Sequence, residues 1–126
     1  MELYIGGYAQ GKLQYVLENR GGGLSVEDGP DRLAKYDAQE AVIFNSFHEW
    51  FFEEIKKGKN PEEKMEEVLL CHERLIIISN EVGNGIVPAD PVEREYRERL
   101  GRYLCRLAAR SERVERILCG IGQRLK

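Results

Sequence analysis

The segment ELYIGGYAQGKLQYVLEN (residues 2–19) sets the fold class of this 126-residue chain. It begins with a short apolar run of strand length, which is followed directly by two glycines. Apolar side chains then recur at Leu13, Val16 and Leu17, a spacing that predicts one buried face of a helix. A strand, a glycine-rich loop and a helix in succession indicate the start of a layered α/β domain.

The rest of the chain continues this alternation of strands and helices. The glycine- and aspartate-rich segment 19–31 is predicted to be a loop. The order predicts one domain over residues 1–126, with three layers and a mainly parallel sheet whose C-terminal edge carries the loops 6–12, 45–49 and 80–90. Further predicted strands are AVIF (41–44), LIIIS (75–79) and VERIL (114–118), and further predicted helices begin at about Phe47, Pro61 and Pro91.

Composition excludes several classes of protein. The net charge of −3 gives no general attraction to nucleic acid, and no apolar stretch approaches the roughly 18–20 residues of a membrane span. The N-terminus has neither the charged nor the apolar region of a signal peptide, so we expect a cytoplasmic protein. Cys71, Cys105 and Cys119 form no metal-ligand spacing, and we expect them to be buried or half-buried thiols without a metal.

The C-terminal segment 93–126 is more basic than the rest of the chain, with ten Lys or Arg residues against five Glu. Two interpretations are open. The segment could dock an anion, or it could be a solvated helix face on which Glu95–Arg99 and Glu98–Arg102 pair one turn apart.

The loop after the first strand has the spacing of a phosphate-binding loop, because Gly6 and Gly11 are five residues apart and Lys12 follows. Such glycines let backbone N–H groups turn inward around a phosphate, while the helix N-terminus adds positive potential and the lysine reaches the β- and γ-phosphates. The alternative is a simple glycine turn with a solvated lysine. The predicted nucleotide-binding residues are Gly6, Gly7, Tyr8, Ala9, Gln10, Gly11, Lys12 and Leu13.

Two positions argue against a firmly held magnesium ion. Phosphate loops of this kind carry a Ser or Thr after the lysine to bind Mg²⁺, and Leu13 has no hydroxyl. An acid at the end of a neighbouring strand gives the ion its second support, and the residue after AVIF is Asn45, whose amide is uncharged. We therefore expect phosphate affinity without a strong metal site.

The segment 80–101 carries a more specific pattern. Asn80 to Pro88 read N-E-V-G-x-G-I-V-P, and the following residues fit R-x-[FY]-R-[DE]-x-x-G from Arg94 to Gly101. In both patterns the chain resembles the adenosylcobinamide kinase/adenosylcobinamide-phosphate guanylyltransferase family of cobalamin assembly. GGYAQGKL (6–13) is similar to that family's G-G-x-R-S-G-K-S, and VIFNSFHEW (42–50) is similar to its strand followed by D-C-L-T-L-W.

The resemblance implies a P-loop-type fold, GTP or ATP as cofactor, a corrinoid as a second ligand, and a homotrimer. It also implies that Glu81 could hold a metal, accept a hydroxyl proton or brace its loop. Lys12 and Glu81 are the candidate catalytic residues. The predicted substrate loop consists of Asn80, Glu81, Val82, Gly83, Gly85, Ile86, Val87 and Pro88.

The departures from the family pattern all fall at positions that the family uses for its chemistry. Ala9 and Gln10 replace an Arg and a Ser, and the chain is predicted to be one βα unit shorter, without the helix that carries the guanylylated histidine. His48 is a speculative substitute for that histidine. We therefore expect weak nucleotide binding with impaired or absent kinase and guanylyltransferase activity. The alternatives are an inactive structural or regulatory partner in corrinoid metabolism and a short but active kinase.

Overall fold

A computed structural model of the chain describes residues 1–82 and 85–126. It contains one six-stranded sheet with the order β2-β3-β4-β1-β5-β6, in which β1 to β5 are parallel and β6 runs antiparallel to β5. The strands are β1 (Glu2–Gly6), β2 (Ser25–Glu27), β3 (Val42–Phe44), β4 (Leu75–Asn80), β5 (Arg113–Leu118) and β6 (Ile121–Arg124).

Four α-helices connect or follow these strands, and a short 3-10 helix, Pro30–Lys35, lies between β2 and β3. The alternation of strands and helices gives an α/β domain of the P-loop type, as the sequence predicts. The helices are α1 (Lys12–Arg20), α2 (Phe47–Lys56), α3 (Pro61–Cys71) and α4 (Pro91–Arg110).

The helices cover both faces of the sheet, because alternate residues of a strand point to opposite faces. One face, with Leu3, Phe44 and Ile77, packs against α2, α3 and α4 in the larger apolar core. The other face, with Tyr4 and Ile43, packs against α1 in a smaller core. The three layers expected from the sequence are therefore present, and the second face is covered mainly by a single helix.

Two strands were missed by the sequence prediction. The segment 19–31 is not entirely loop, because Ser25–Glu27 pairs in parallel with β3 and forms one edge of the sheet. The chain also does not end its sheet at 114–118, since Ile121–Arg124 turns back along β5 and forms the other edge. The turn between β5 and β6 places Cys119 and Gly120 at φ values of 51° and 74°, the positive angles of a tight hairpin turn.

Three smaller expectations have clear outcomes. The cysteines are free but exposed, so the expectation of buried thiols was wrong. Arg99 and Arg102 pair with Glu95 and Glu98 one turn earlier on α4, which fits the solvated-face interpretation. In the part of the chain that the structure describes, no helix is both long enough and apolar enough to cross a bilayer.

The sheet topology creates a crevice between β1 and β4. These neighbouring parallel strands are followed by helices on opposite faces, α1 on one side and α4 on the other. Ligands of open α/β sheets bind in such a crevice, beyond the C-terminal ends of the strands. The loops after β1, β3 and β4 all lie at this edge, as predicted.

Candidate functional site

The loop 7–11 leaves the centre of the sheet and is shaped by two glycines. A Cβ on Gly6 would lie 2.5 Å from the carbonyl oxygen of Ile117, so only glycine lets β1 end this close to β5. Gly11 has a φ of 80° and directly precedes α1. Ala9 also adopts a positive φ, of 55°, although it has a side chain. The backbone therefore curls tightly in front of the N-terminus of α1.

Lys12 turns its side chain back into this curl. Its Nζ donates a hydrogen bond to the carbonyl oxygen of Gly7 at 2.7 Å. Burial lowers the pKa of Lys12, while the nearby Glu81 carboxylate opposes that change. The ammonium group is thus held inside the loop, where its charge is screened less by water than on an open surface.

A cavity of about 280 Å³ opens beside the loop, and we call it the loop cavity. It brings together the loop after β1, the start of α2 and the end of β4. Of the predicted nucleotide-binding residues, Gly6 and Gly7 do not line it. The lining residues are Tyr8, Ala9, Gln10, Gly11, Lys12, Leu13, Gln14, Asn45, Ser46, His48, Glu49, Ile78 and Asn80.

The loop is braced by the C-terminal hairpin, a contact that the sequence analysis did not anticipate. The backbone N–H of Cys119 donates to Oε1 of Gln10 at 2.6 Å, and the N–H of Gly120 donates to the carbonyl oxygen of Gln10 at 2.8 Å. The only sequence signal was Gly120 after VERIL, which marks a turn without saying what the turn touches. These bonds tie the loop to the turn between β5 and β6.

Glu81 serves as a brace rather than as a free acid in this structure. Its backbone N–H donates to the carbonyl oxygen of Gly6 at 2.8 Å. Its carboxylate accepts a hydrogen bond from Nη2 of Arg116 at 3.0 Å, and Nε of Arg116 lies 2.7 Å from its other oxygen in the same ion pair. Arg116 lies on β5 opposite Ile5 of β1, and it was not recognised from the sequence because the pairing of β1 with β5 is a long-range feature.

His48 lies in the wall of the loop cavity, next to the end of β4. Its Nδ1 accepts a hydrogen bond from the backbone N–H of Asn80 at 3.0 Å. Its side chain is 15% exposed, and burial lowers its pKa; Glu49 opposes this effect and Lys12 adds to it. The structure therefore places His48 beside Lys12, in surroundings that favour the neutral ring.

The predicted substrate loop divides into two parts. Asn80 lines the loop cavity, Glu81 is paired with Arg116, and Val82 packs on the larger core near Gly101. Gly83 lies outside the described residues. Gly85, Val87 and Pro88 line a separate cavity of about 310 Å³ together with residues of α4, and the side chain of Ile86 is 92% exposed.

The residue types at the loop cavity do not fit a tightly held magnesium ion, which prefers carboxylate oxygens in an octahedral shell. Leu13 is apolar, and Asn45 and Ser46 supply only neutral oxygens. Among the described lining residues, Glu49 is the one carboxylate, and its side chain is 74% exposed. Glu81, whose carboxylate interacts with Lys12, is already paired with Arg116.

The helix N-termini at this site lack the side-chain caps that begin the other two α-helices. No side chain caps the N-terminus of α1 or of α2, whose N-cap residues Gly11 and Ser46 both have left-handed backbones. In contrast, the side chains of Asn60 and Asp90 accept hydrogen bonds at the starts of α3 and α4. First-turn N–H groups have no acceptor within a helix, so the two uncapped ends offer donors to an anion.

A larger cavity of about 710 Å³, the outer cavity, adjoins the loop cavity along α2. The two cavities share a wall formed by Asn45, Ser46, His48 and Glu49. Beyond this wall the outer cavity extends past Asp28, Trp50, Phe52, Glu53, Glu54, Lys56, Lys57 and Tyr96. A ligand there would lie next to an anion bound at the loop.

Comparisons with known proteins agree with the resemblance in the sequence. A bifunctional adenosylcobalamin biosynthesis protein, CobU, of Salmonella typhimurium is 39% identical over 56 residues, which cover 44% of this chain and 31% of that protein. Its counterpart in Escherichia coli K12 is 31% identical over 80 residues, which cover 62% of this chain and 44% of that protein. The chain thus spans less than half the length of these relatives.

The family model of cobinamide kinase / cobinamide phosphate guanyltransferase matches residues 27–125. That range includes Asn45, His48 and the whole 80–88 segment, whereas the loop 6–13 lies before it. Because the match covers well over half of the chain, the chain belongs to the cobinamide kinase / cobinamide phosphate guanyltransferase family.

Proposed function

We propose that this protein binds the phosphates of a nucleoside triphosphate, GTP or ATP, in the loop cavity, and does so weakly. The observation that carries the proposal is the position of Lys12, whose ammonium group is held inside the curled loop by the carbonyl oxygen of Gly7. The uncapped N-terminus of α1 supports it, since helix N-termini attract anions.

We further propose that kinase and guanylyltransferase activities are impaired or absent. Leu13 and Asn45 leave the cavity without the usual ligands of a magnesium ion, whose charge stabilises phosphoryl transfer. Loss of one electrostatic contact to a transition state costs about 3–4 kcal/mol, so two such losses would leave a marginal enzyme. Phosphate affinity depends more on backbone N–H groups and Lys12, and these remain.

Calorimetric titration with GTP, ATP and GDP, each with and without Mg²⁺, tests the binding proposal. We expect weak binding of the triphosphates and little change with Mg²⁺. Absence of any heat at millimolar nucleotide would rule out the proposed binding. A large Mg²⁺-dependent gain in affinity would contradict the interpretation of Leu13 and Asn45.

The variant Lys12→Ala tests whether the loop cavity is the binding site. Hydrogen bonds to charged groups contribute about 1.5–3 kcal/mol, so affinity should fall by about tenfold or more. Lys59→Ala removes an exposed lysine from the connection between α2 and α3 and is the matched control. Equal affinity in the two variants would place the nucleotide elsewhere.

Incubation with labelled GTP tests turnover separately from binding. We expect no acid-labile GMP adduct on the protein, because no histidine occurs in the chain before His48. An adduct that maps to His48 would show that covalent guanylylation survives and would overturn the proposed loss of that step.

We also propose that a corrinoid binds in the outer cavity, in keeping with the family of the chain. The support is the wall that this cavity shares with the loop cavity, which would bring an acceptor next to a terminal phosphate. Trp50, the single tryptophan of the chain, lines the outer cavity, so bound cobinamide should quench its fluorescence. Unchanged fluorescence at saturating cobinamide would count against this site.

A second candidate role is association with other subunits, and we propose that the chain forms a homo-oligomer, for which the resemblance implies a trimer. The β5–β6 hairpin at the edge of the sheet favours it, since Leu118 of β5, Ile121 of β6 and Leu125 just after β6 are 59%, 72% and 53% exposed. Light scattering should give a mass above 14.5 kDa, and Ile121→Lys should reduce it. A monomer at all concentrations would exclude this role.

A further inference from the structure

We propose that His48 donates a hydrogen bond from Nε2 to the bound phosphate, as a neutral ring whose tautomer is fixed by the backbone of β4. This inference rests on the proposed nucleotide binding, because it assigns a second phosphate donor to the same cavity. It also gives His48 a role other than that of a covalent acceptor.

The tautomer follows from the hydrogen bond at the end of β4. The backbone N–H of Asn80 donates to Nδ1 of His48 at 3.0 Å. A ring nitrogen that accepts a hydrogen bond carries no proton, so in the neutral ring the single proton resides on Nε2. A backbone amide cannot reverse its role as donor, and it therefore holds the ring in this one tautomer.

The surroundings of the ring favour this neutral state. The side chain of His48 is largely buried, and burial lowers its pKa. The charged groups that face it are Glu49 on its own helix, which opposes this effect, and Lys12 on α1, which adds to it. Asn80 on β4 contributes only its uncharged backbone.

The Nε2–H group is available for a ligand. Because Nδ1 is used by the backbone of β4, Nε2 is the ring nitrogen that remains for a ligand. An oxygen of Glu49 is 3.9 Å from Nε2, which is longer than a hydrogen bond. The ring lines the loop cavity together with Lys12, so an anion held by the ammonium group would have a second side-chain donor within the same wall.

The same geometry opposes a nucleophilic role for this histidine. Attack on a phosphorus atom needs a ring nitrogen with a free lone pair. In His48 the lone pair of Nδ1 accepts the Asn80 N–H, and Nε2 carries the proton. The side chain is therefore arranged to bind a phosphate and not to form a bond with it.

Two substitutions test the acceptor at Nδ1 and the donor at Nε2 separately. His48→Asn keeps an oxygen near the position of Nδ1, where it can accept the Asn80 N–H, but lacks a donor at the position of Nε2. His48→Gln reaches the position of Nε2 with an amide N–H. We expect the affinity for inorganic pyrophosphate, measured by calorimetry, to fall about tenfold in His48→Asn, the loss of one hydrogen bond to a charged group, and to be largely recovered in His48→Gln.

The tautomer is measured on the unmutated protein, where folding is not at risk. Long-range nitrogen–proton NMR spectra should show an unprotonated Nδ1 and a protonated Nε2 near neutral pH, with and without pyrophosphate. A protonated Nδ1, or wild-type affinity in His48→Asn, would overturn the inference.

The Lys12 variant separates this inference from the proposed function. If Lys12→Ala weakens pyrophosphate binding and His48→Asn does not, only the role of His48 fails. If the wild type does not bind pyrophosphate, the proposed function fails as well.

Discussion

The two faces of the sheet are stabilised in different ways. On one face, α2, α3 and α4 bury a large core rich in aromatic rings, in which Phe47 and Phe51 contact each other and Tyr103. On the other face, α1 packs over a smaller core in which Val16 is its only fully buried residue. On the α1 face, polar contacts add to this smaller core.

Those polar groups form a partly buried network between α1 and the sheet. Tyr15 of α1 donates a hydrogen bond to Glu115 at 2.6 Å, and Arg113 donates to the same carboxylate. Close by, Glu2 accepts hydrogen bonds from Tyr4 and from Arg20 at the end of α1. Since α1 also carries Lys12, the helix that presents the candidate site is attached to the sheet partly through charged groups.

Truncation of an aromatic ring should have the largest effect on stability. Phe51 is fully buried, so Phe51→Ala should lower the free energy of unfolding by about 3–5 kcal/mol. Val16→Ala truncates the fully buried side chain of α1 and should cost about 2 kcal/mol, because this smaller side chain buries less apolar surface. Urea denaturation measures both values. A larger loss for Val16→Ala would reverse the proposed difference between the faces.

Acid should weaken the attachment of α1 through Glu115. Burial alone would raise the pKa of this carboxyl, but hydrogen bonds from Tyr15 and the Arg113 guanidinium outweigh burial and leave its pKa lowered. Because the pKa of Glu115 is lower in the folded than in the unfolded protein, its ionised carboxylate stabilises the fold fully at pH values above 4.5. This stabilisation is lost as the pH falls from 4.5 through the lowered pKa of the folded state.

Glu115→Gln should therefore cost about 1.5–3 kcal/mol at pH 7, the usual contribution of hydrogen bonds to a charged group. The difference from the wild type should shrink below about pH 4. Glu62 and Glu66 on the opposite face also have lowered pKa values. The difference in unfolding free energy between variant and wild type, taken at each pH, therefore isolates the effect of Glu115. A difference that is independent of pH would show that its charge does not hold α1.

A methyl group on Gly122 should disturb the same network from the side of β6. Its Cβ would lie 2.1 Å from the hydroxyl of Tyr15 and 2.8 Å from the carboxylate of Glu115. Gly122→Ala should therefore destabilise the protein by about 1–3 kcal/mol, as overpacking usually does. In Gly29→Ala the new Cβ meets no atom within 4 Å, so thermal unfolding of that variant should stay near the wild type.

Removal of a helix cap should have the smallest effect. The side chain of Asn60 accepts a hydrogen bond from the backbone N–H of Glu63, so Asn60→Ala should cost about 1 kcal/mol. Because α3 does not border the loop cavity, nucleotide affinity should be unchanged. A change in affinity, measured by calorimetry beside the unfolding curve, would show that the faces are coupled more strongly than their packing indicates.

The sequence predicts the parts of the fold whose signals are local. LIIIS is a continuous apolar run and forms the buried β4, and Asn60 with Pro61 marks the start of α3. β2 was missed because three residues within a glycine-rich segment carry no periodicity, and they are held by pairing with β3. β6 was missed because its turn is Cys-Gly rather than the familiar Asn-Gly, although the backbone adopts the same positive φ angles.

The candidate site likewise combines residues with a local sequence signal and residues placed by long-range strand pairing. The spacing of Gly6, Gly11 and Lys12 is visible in the sequence, as is the position of His48 after a strand. The partner of Glu81 is not, because Arg116 reaches it only through the pairing of β1 with β5. Sheet register depends on contacts distant in sequence, and a single sequence gives those contacts no local signal.

The bonds between Gln10 and the β5–β6 turn have a thermodynamic consequence. A loop that must fold around its ligand loses conformational entropy on binding and buries apolar surface, which gives a large negative heat-capacity change. Here the protein's own hydrogen bonds restrain the loop through Gln10, at a position where the resemblance indicates a serine in other members of the family. Binding of an anion should therefore proceed with little change in heat capacity, as for a rigid receptor.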